Sequence, residues 1–305
     1  MTRRSGILVV DKAAGLTSAD VVLLMRRRLR VRPVGHAGTL DPDATGVLPI
    51  LVGEATKLTP YLHDTDKEYV ATLRLGVRTD TQDVGGTVLA TAPVPPLSAD
   101  DVRAAARRFV GRIRQVPPMY SALRHQGRRL YELAREGVEV ERAAREVVVA
   151  AIDVEEVAPP AVRLRVVCGK GTYIRTLAAD LGDVLGCGAA VESLRRTRVG
   201  PFGLAGSVPS DEIRTMEGEA LADRMLTPDA ALTGWPTVSL DARDAGRFLH
   251  GQAVEVTPAP SGAAPVAVRG PGDVLLGVGE VVAGGRVKPA RIIHADHPGR
   301  RVLPA

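Results

Sequence analysis

GHAGTLDPDATGVLPILVGEATK, residues 35–57, places an aspartate in a loop rich in glycine and proline, directly before an apolar run. Gly35 and Gly38 allow the backbone to turn sharply or to approach a ligand closely, and the proline after the aspartate has a fixed φ. The run VLPILV is typical of a strand that enters the interior. The sequence therefore predicts that Asp41 lies on a rigid loop at the edge of a core, partly desolvated, as a nucleophilic or acid–base carboxylate requires.

An Asp-Pro pair taken alone more often caps a turn than carries chemistry. The whole segment, however, closely resembles the catalytic motif of the TruB family of tRNA pseudouridine synthases, in which the aspartate of G-T-L-D-P is essential. Four more segments are similar to blocks of that family: GILVVDKAAGLTSADVV (6–22), DKEYVATLRLGVRTDTQD (66–83), QVPPMYSALRHQGRRLYELAREG (115–137) and CGKGTYIRTLAADLGDVLGCGAAVESLRRTRVGPF (168–202). The resemblance covers most of the chain and is weakest after about residue 235.

Composition is typical of an intracellular enzyme. The 305 residues suffice for two domains with ample cores. We find no run of 18 apolar residues and no signal-peptide pattern near the first residue, so we expect no membrane span and a cytoplasmic location. Cys168 and Cys187 form no CxxC motif and are expected to be reduced, structural thiols.

Positive charge is concentrated locally, although the net charge is only +5. Residues 103–129 contain no acid and eight arginines: 103, 107, 108, 112, 114, 124, 128 and 129. A second cluster, RRRLRVR (26–32), precedes the Asp41 loop. Two such patches beside one site predict contacts with RNA phosphates. A genomic bias towards arginine is the alternative explanation, but it accounts poorly for the missing acids.

The pattern of elements predicts a mixed α+β domain, because strands and helices alternate irregularly. We expect strands at 6–10, 68–75, 147–157, 162–168 and 191–199, and helices at 18–30, 98–110, 174–185 and 241–249. Thr17 and Asp20 resemble a capping box. In the strand 68–75 we place Ala71, Leu73 and Leu75 on one face and Tyr69 on the other. The family resemblance implies the pseudouridine synthase fold, a bent mixed sheet with a central cleft.

Two domains are expected. Residues 1–235 form the catalytic domain, including an RNA-gripping insertion at about 103–145 that the resemblance implies. After Trp235 the sequence pattern changes: several valine-rich segments, each a candidate strand, are separated by glycine and proline. The change predicts a second domain at residues 236–305, and the family resemblance implies that this domain is a small β-barrel, an RNA-binding module of the PUA type.

Other chemistry finds no support in the sequence. CGKGT (168–172) lacks the earlier glycine and the hydroxyl residue of a P-loop. His294 and His297 are not accompanied by a cysteine or carboxylate at the spacing of metal ligands. The sequence also lacks the G-x-S-x-G motif that presents a serine nucleophile. We expect neither a metal nor a cofactor.

The family resemblance implies a role for each candidate site residue. Asp41 is the nucleophile or covalent partner, and Arg175 pairs with it and keeps it ionised. Tyr69 stacks on the flipped uracil and accepts or relays the C5 proton. His36 fills the space that the flipped base leaves. Tyr173 and Leu194 contact the uracil or form the walls of its pocket.

For each of these residues a simpler structural role is the alternative, such as an arginine on a helix surface or a leucine in a core. Arg124, Arg128 and Arg129 are predicted to bind RNA. Lysines 12, 57 and 170 are lesser candidates for phosphate or structural contacts.

The implied activity is isomerisation of uridine 55 in the T-loop of tRNA to pseudouridine, by a monomer that needs no protein partner. One alternative is a synthase for another RNA, including the guide-RNA-dependent relatives that share the GTLDP motif. The other is an RNA-binding or RNA-folding protein without catalysis. The insertion favours a stand-alone enzyme. The presence of Asp41, Tyr69 and Arg175 together argues against a protein without catalytic activity.

Overall fold

The computed structural model describes residues 5–258 and 265–294. The end of the predicted PUA-like domain, residues 295–305 with His297, lies outside these residues. The strands are β1 (Gly6–Lys12), β2 (Val34–His36), β3 (Thr45–Val52), β4 (Lys67–Leu75), β5 (Val77–Thr79), β6 (Val88–Thr91), β7 (Gly111–Gln115), β8 (Arg124–His125), β9 (Arg128–Arg129), β10 (Arg145–Ala158), β11 (Ala161–Cys168), β12 (Ala189–Val199), β13 (Phe202–Gly203), β14 (Val208–Pro209), β15 (Thr237–Ser239), β16 (Val254–Glu255), β17 (Val266–Gly270), β18 (Val274–Val282) and β19 (Arg286–Ile292).

The α-helices are α1 (Ser18–Leu29), α2 (Thr59–His63), α3 (Ala99–Arg107), α4 (Leu130–Arg135), α5 (Ile174–Val184), α6 (Ser210–Ile213), α7 (Gly218–Arg224) and α8 (Ala242–Leu249). Short 3₁₀ helices span Gly53–Leu58, Pro228–Leu232 and Pro271–Asp273. No helix in the described part of the chain combines the length and apolarity needed to cross a membrane.

The chain divides into two compact units. The first contains the residues up to Pro42, Gly46–His63 and the residues from Gly200 onward. The second contains Asp43–Thr45 and Asp64–Val199. Asp41, His36 and the candidate lysines 12 and 57 therefore belong to the first unit, and the other predicted site residues belong to the second.

In the first unit, β1 pairs with β3 in antiparallel and with β14 in parallel orientation, and β2 pairs with β3. The residues after Thr45 in β3 are all buried, as the run VLPILV predicts. A second sheet has the order β15-β17-β18-β19-β16. Phe248 of α8 is fully buried against this sheet and, with Val254 and Val268, forms part of its core.

In the second unit, β12, β4, β11, β10 and β7 form an antiparallel sheet in that order. Helices α3 and α5 contribute Val102, Ala106, Leu177 and Leu181 to the core on one face of it. Apolar burial on that face is the main stabilising contribution to the unit. The mixed α+β class predicted from the sequence is confirmed.

Most predicted elements are present, with small differences at their ends. Thr17 and Asp20 form the expected capping box of α1, and Arg30 ends the helix in a left-handed conformation. Helix α3 begins after Ser98, the first residue of the predicted helix, which forms its N-cap, and it ends at Arg107, three residues before the predicted end. The amides of residues 108–110 bond to carbonyls three residues back, so the last turn is tightened to the 3₁₀ type before β7 begins.

The predicted position of Tyr69 is wrong. Tyr69 lies on the same face of β4 as Ala71 and Leu73 and packs against the same core. Side chains in a strand repeat every two residues, and positions 69, 71 and 73 share one parity, so they must point to one side of a regular strand.

The insertion forms a small structure of its own within the second unit. Strands β8 and β9 pair as a hairpin whose turn residues, Gln126 and Gly127, both have positive φ. Met119, Leu130 and Leu133 form a separate hydrophobic cluster beneath it. This cluster is small, so the insertion depends on few buried apolar groups for its order.

Candidate active site

The Asp41 loop starts where β2 ends. His36 is half-buried and pairs with Ile50 across the β2–β3 ladder, and the Ala37 amide donates to Pro49 O at 3.0 Å. Gly38 has a φ of 94°, which favours glycine, as the sequence predicts. Gly35 lies within β2, where the backbone does not turn sharply, and a Cβ there would meet no described atom within 4 Å. The close approach of a ligand at Gly35 stays a prediction.

Hydrogen bonds hold the backbone on both sides of Asp41, and those on the N-terminal side are buried. Before it, the Leu40 amide donates to Ser18 Oγ at 2.9 Å, and Ser18 Oγ donates to Leu40 O at 3.2 Å. After it, Pro42 O accepts from Lys12 Nζ at 2.9 Å and from the Gly15 amide at 3.0 Å. The backbone that carries the carboxylate is thus fixed at two points.

Lys12 is a structural cation. Its side chain is fully buried, and Nζ also donates to Ala13 O at 2.9 Å and to Leu16 O at 2.8 Å. With Pro42 O these bonds use the three donors of the ammonium group. Of the two roles predicted for Lys12, the structure favours the structural contact over the phosphate contact.

Arg175 lies in the first turn of α5 and is 4% exposed. Its guanidinium donates to Thr81 O at 2.8 Å and to Tyr120 O at 2.7 Å, and Nη1 lies 3.9 Å from Asp83 Oδ2. The simpler role of an arginine on a helix surface is therefore excluded. A buried guanidinium of this kind must be paired and hydrogen-bonded to be tolerated.

Tyr173 is the N-cap residue of α5, and its backbone is held by a side chain that the sequence did not single out. Gln115, at the end of β7, is 2% exposed. Its Oε1 accepts from the Tyr173 amide at 3.0 Å, and its Nε2 donates to Tyr173 O at 3.2 Å. This reciprocal pair fixes the start of the helix that carries Arg175.

Tyr69 and Leu194 lie close together on one face of the sheet. Tyr69 pairs with Arg196 and Leu194 with Ala71 across the β4–β12 ladder, so the two side chains are diagonal neighbours. Both pack half-buried against the core of the second unit. An aromatic ring and a leucine in this arrangement can form one wall of a base-sized site.

The strand ends near Tyr69 contain a buried ionisable group with an unusual pKa. The pKa of Lys67 is lowered to about 8. Burial of the ammonium group is the larger cause, and the positive charge of the buried Arg196 is the second. Lys67 Nζ donates to Thr65 O at 2.5 Å. Burial also raises the pKa of the Cys168 thiol to about 11, which favours its neutral form and agrees with a reduced structural cysteine.

The arginines predicted to bind RNA lie on the β8–β9 hairpin and are exposed. Arg124 donates to Gly127 O at 2.6 Å, and Arg128 pairs with Glu136 at 2.5 Å. Arg129 lies 5.8 Å from the centre of the Tyr131 ring, over which Arg135 also lies, at 5.5 Å.

Acids outside the arginine-rich stretch offset part of its charge. Arg103 pairs with Asp100 at 2.9 Å, and Arg112 with Glu146 at 2.9 Å. The count of charges within residues 103–129 overlooked these partners, because they precede or follow the stretch in sequence.

The two remaining candidate lysines make polar contacts within their own units. Lys57 pairs with Glu54 at 2.7 Å and donates to Ile292 O at 2.9 Å. Exposed Lys170 pairs with Asp64 at 2.8 Å. Among residues 5–258 and 265–294, no group of three or more His, Cys, Asp or Glu side chains is arranged to hold a metal ion.

Sequence reasoning missed two residues that support the site through side-chain hydrogen bonds. Gln115 begins one of the segments that resemble family blocks and Asp83 ends another, but neither residue was assigned a chemical role. Asp83 accepts from Thr81 Oγ1 at 2.8 Å and from the Gly85 amide at 3.1 Å, which orders the segment that receives Arg175.

Three family models match the chain. The N-terminal domain of the TruB family of pseudouridylate synthases matches residues 26–174, and the C-terminal domain of tRNA pseudouridylate synthase B matches 175–233. The C-terminal model of pseudouridine synthase II TruB matches 236–293.

Curated relatives are similar over nearly their whole length. A protein named tRNA pseudouridine synthase B from Aromatoleum aromaticum is 46% identical over 289 residues, which cover 94% of this chain and 92% of the relative. Its namesake from Pseudomonas aeruginosa is 44% identical over 295 residues, 95% of this chain and 96% of the relative.

Solved structures show the same fold. A chain from a Cbf5-Nop10-Gar1 complex superposes with a TM-score of 0.70 at 28% identity, covering 92% of this chain and 79% of its own. A chain from an H/ACA RNP bound to a substrate RNA containing 2′-deoxyuridine gives a TM-score of 0.72 at 24% identity, with 97% and 87% covered. The predicted pseudouridine synthase fold with a PUA-like β domain at the C-terminal side is confirmed.

Proposed function

The chain belongs to the TruB family of pseudouridylate synthases, and on that premise we propose that it converts uridine 55 in the T-loop of tRNA to pseudouridine. The observation that carries this proposal is the Asp41 loop, in which hydrogen bonds from Ser18, Lys12 and Gly15 fix the backbone beside one carboxylate. A loop of this rigidity suits a group that must meet a reacting sugar in one orientation.

The reaction breaks the bond from N1 to C1′, turns the uracil over and joins C5 to C1′. The proton on C5 is lost and N1 gains one, so the composition of the RNA is unchanged and no redox partner is needed. Asp41 is the nucleophile or covalent partner, and the Arg175 guanidinium keeps it ionised. Tyr69 stacks on the uracil and accepts or relays the C5 proton.

The target base must leave the RNA stack, at a cost of about a few kcal/mol. His36 fills the space that the base leaves, while Tyr173 and Leu194 wall the uracil. Arg124, Arg128 and Arg129 offset the cost by binding T-arm phosphates. The exposure of all three arginines on one hairpin supports this role.

We further propose that residues 1–235 form the catalytic domain and residues 236–305 a PUA-like RNA-binding domain. The protein acts as a cytoplasmic monomer and needs no metal, cofactor or protein partner. The chain is 46% identical to a protein named tRNA pseudouridine synthase B but only 28% identical to the chain from a Cbf5-Nop10-Gar1 complex. This difference favours an enzyme without a protein partner over a subunit of a multi-protein complex.

Release of tritium from tRNA labelled at uracil C5 tests the function, because the label leaves only when C5 bonds to the sugar. Purified protein, treated exhaustively with EDTA, should release about one label per unmodified tRNA and also act on a T-arm hairpin. A tRNA with cytidine at position 55 is the matched control and should release none. Release from that control would show that another uridine is the target.

The same assay separates the two alternatives. A synthase for another RNA would leave tRNA labelled but release tritium from a different RNA or only with an added guide RNA. A protein that only binds or folds RNA would bind tRNA without any release. A requirement for one specific divalent ion, unrelated to tRNA folding, would contradict the absence of a metal.

A further inference from the structure

Ser18 occupies an unusual position for a helix-start serine. It is 3% exposed and is the first residue of α1, but it does not cap the helix. Thr17 does so, accepting from the Asp20 amide at 3.1 Å. The Ser18 hydroxyl instead makes two bonds to a residue 22 positions away, accepting from the Leu40 amide and donating to the Leu40 carbonyl.

These two bonds satisfy both polar groups of the residue directly before Asp41. Leu40 itself is buried, at 3% exposure, so its amide and carbonyl need partners within the protein. On the other side of Asp41, Pro42 O accepts from Lys12 Nζ and from the Gly15 amide. Without the Ser18 hydroxyl, Leu40 would lose both of its hydrogen bonds to residue 18, and the carboxylate of the next residue would be held less firmly.

We propose that Ser18 is a positioning residue for the reaction: its hydroxyl couples helix α1 to the Asp41 loop and sets the orientation of the carboxylate. The inference rests on the proposed function, since it requires Asp41 to act on the sugar. A displacement of about 1 Å in a reacting group can lower a rate about 100-fold. Ser18 therefore acts on the chemical step and leaves RNA docking unchanged.

Four variants test the proposal in the full chain: Ser18→Ala, Ser18→Cys, Ser18→Thr and Thr17→Ala. Each is measured for its single-turnover rate of tritium release at saturating tRNA, its Kd for tRNA and its midpoint of urea unfolding. Thr17→Ala is the matched control, because it removes an exposed helix cap one residue away and leaves the bonds to Leu40 in place.

Ser18→Ala should lower the single-turnover rate about 10- to 100-fold, with the Kd for tRNA within about threefold. Ser18→Thr keeps the hydroxyl and should recover most of the rate, and Ser18→Cys, with a weaker donor, should be intermediate. Thr17→Ala should lower the urea midpoint but leave the rate unchanged.

Two results would overturn the proposal. One is a rate within threefold of the parent for Ser18→Ala while Asp41→Asn is inactive. The other is a series of rates that follows the urea midpoints, Thr17→Ala included, instead of the hydrogen-bonding capacity at position 18. An active Asp41→Asn variant would contradict the proposed function itself, so the two failures are distinguishable.

Discussion

The Asp41 loop and the arginine-rich hairpin hold their charged and polar groups in opposite ways. Around Asp41, Lys12 and Ser18 are buried and bond to backbone atoms of distant segments. On the hairpin, Arg124 and Arg128 are exposed and bond to neighbours within eight residues. The first region is ordered by tertiary contacts, and the second by local ones.

This difference indicates how each region can act. Buried bonds resist water and salt, so they suit a group that must not move during chemistry. Exposed arginines exchange weak local partners for phosphates at little cost, which suits a surface that binds and releases RNA. Substitutions in the loop should therefore alter the rate, and those in the hairpin should alter affinity.

The largest effect is expected from Asp41→Asn. It should abolish tritium release while the Kd for tRNA stays within about tenfold, or roughly 1.4 kcal/mol, because the carboxylate serves chemistry and not docking. Release and filter binding measured on the same preparation check both parts. Appreciable turnover by the purified variant would refute the role of Asp41.

Lys12→Met should affect both rate and stability. The substitution leaves the Ala13 and Leu16 carbonyls without this donor and Pro42 O with only the Gly15 amide. The unfolding free energy should fall by about 3 kcal/mol, and the rate at saturating tRNA should fall as the loop loosens. Urea denaturation and single-turnover release measure the two effects.

Lys170→Met is the matched control for that variant, because Lys170 is an exposed lysine in a surface ion pair. It should change the unfolding free energy by less than about 1 kcal/mol. Equal losses in the two variants would mean that burial of Lys12 contributes nothing to the loop.

Replacing Arg124, Arg128 and Arg129 with glutamine should weaken tRNA binding and affect saturating turnover less. Each lost phosphate contact should reduce the slope of log affinity against log salt by roughly 0.7 to 0.9. The control replaces three other exposed arginines of the same unit: 74, 78 and 163. An unchanged slope in a folded hairpin variant would remove the hairpin from the RNA-binding site.

The smallest effect is a pH dependence that comes from Lys67. Its pKa is lowered from 10.5 to about 8 in the folded protein, so between these values the unfolded chain binds more protons. The contribution of Lys67 to stability must then rise with pH from about 8 to 10.5.

Urea midpoints of the parent protein and Lys67→Met, compared at pH 7 and pH 9.5, measure this contribution. The parent should gain stability relative to the variant at the higher pH. A constant difference would indicate that Lys67 titrates alike in the folded and unfolded states.

Local patterns were sufficient to predict many helices and strands. The capping boxes at Thr17 and Ser98 and the apolar run of β3 depend on residues close in sequence, so they could be recognised without a structure. The face occupied by Tyr69 was also predictable from parity, and was assigned wrongly. The candidate Asp41 was found through its motif and family resemblance.

Residues that support the site by distant contacts could not be predicted. Gln115 bonds to Tyr173, 58 positions away, and Arg175 to Thr81, 94 positions away. Gln115 and Thr81 both lie in segments that resemble family blocks, but nothing in those segments shows which distant group each of them contacts. Three-dimensional proximity alone assigns them a role.

The sequence by itself determined the class of the fold, the family and the residues with chemical potential, because periodicity and motifs are properties of short segments. Only the tertiary structure decided which of these groups are buried and which are exposed. Lys12 and Lys170 look alike in sequence, yet one is enclosed by carbonyls and the other lies in a surface ion pair. Burial arises from packing between segments far apart in the chain, and it determines whether a charge orders a loop or remains available to a ligand.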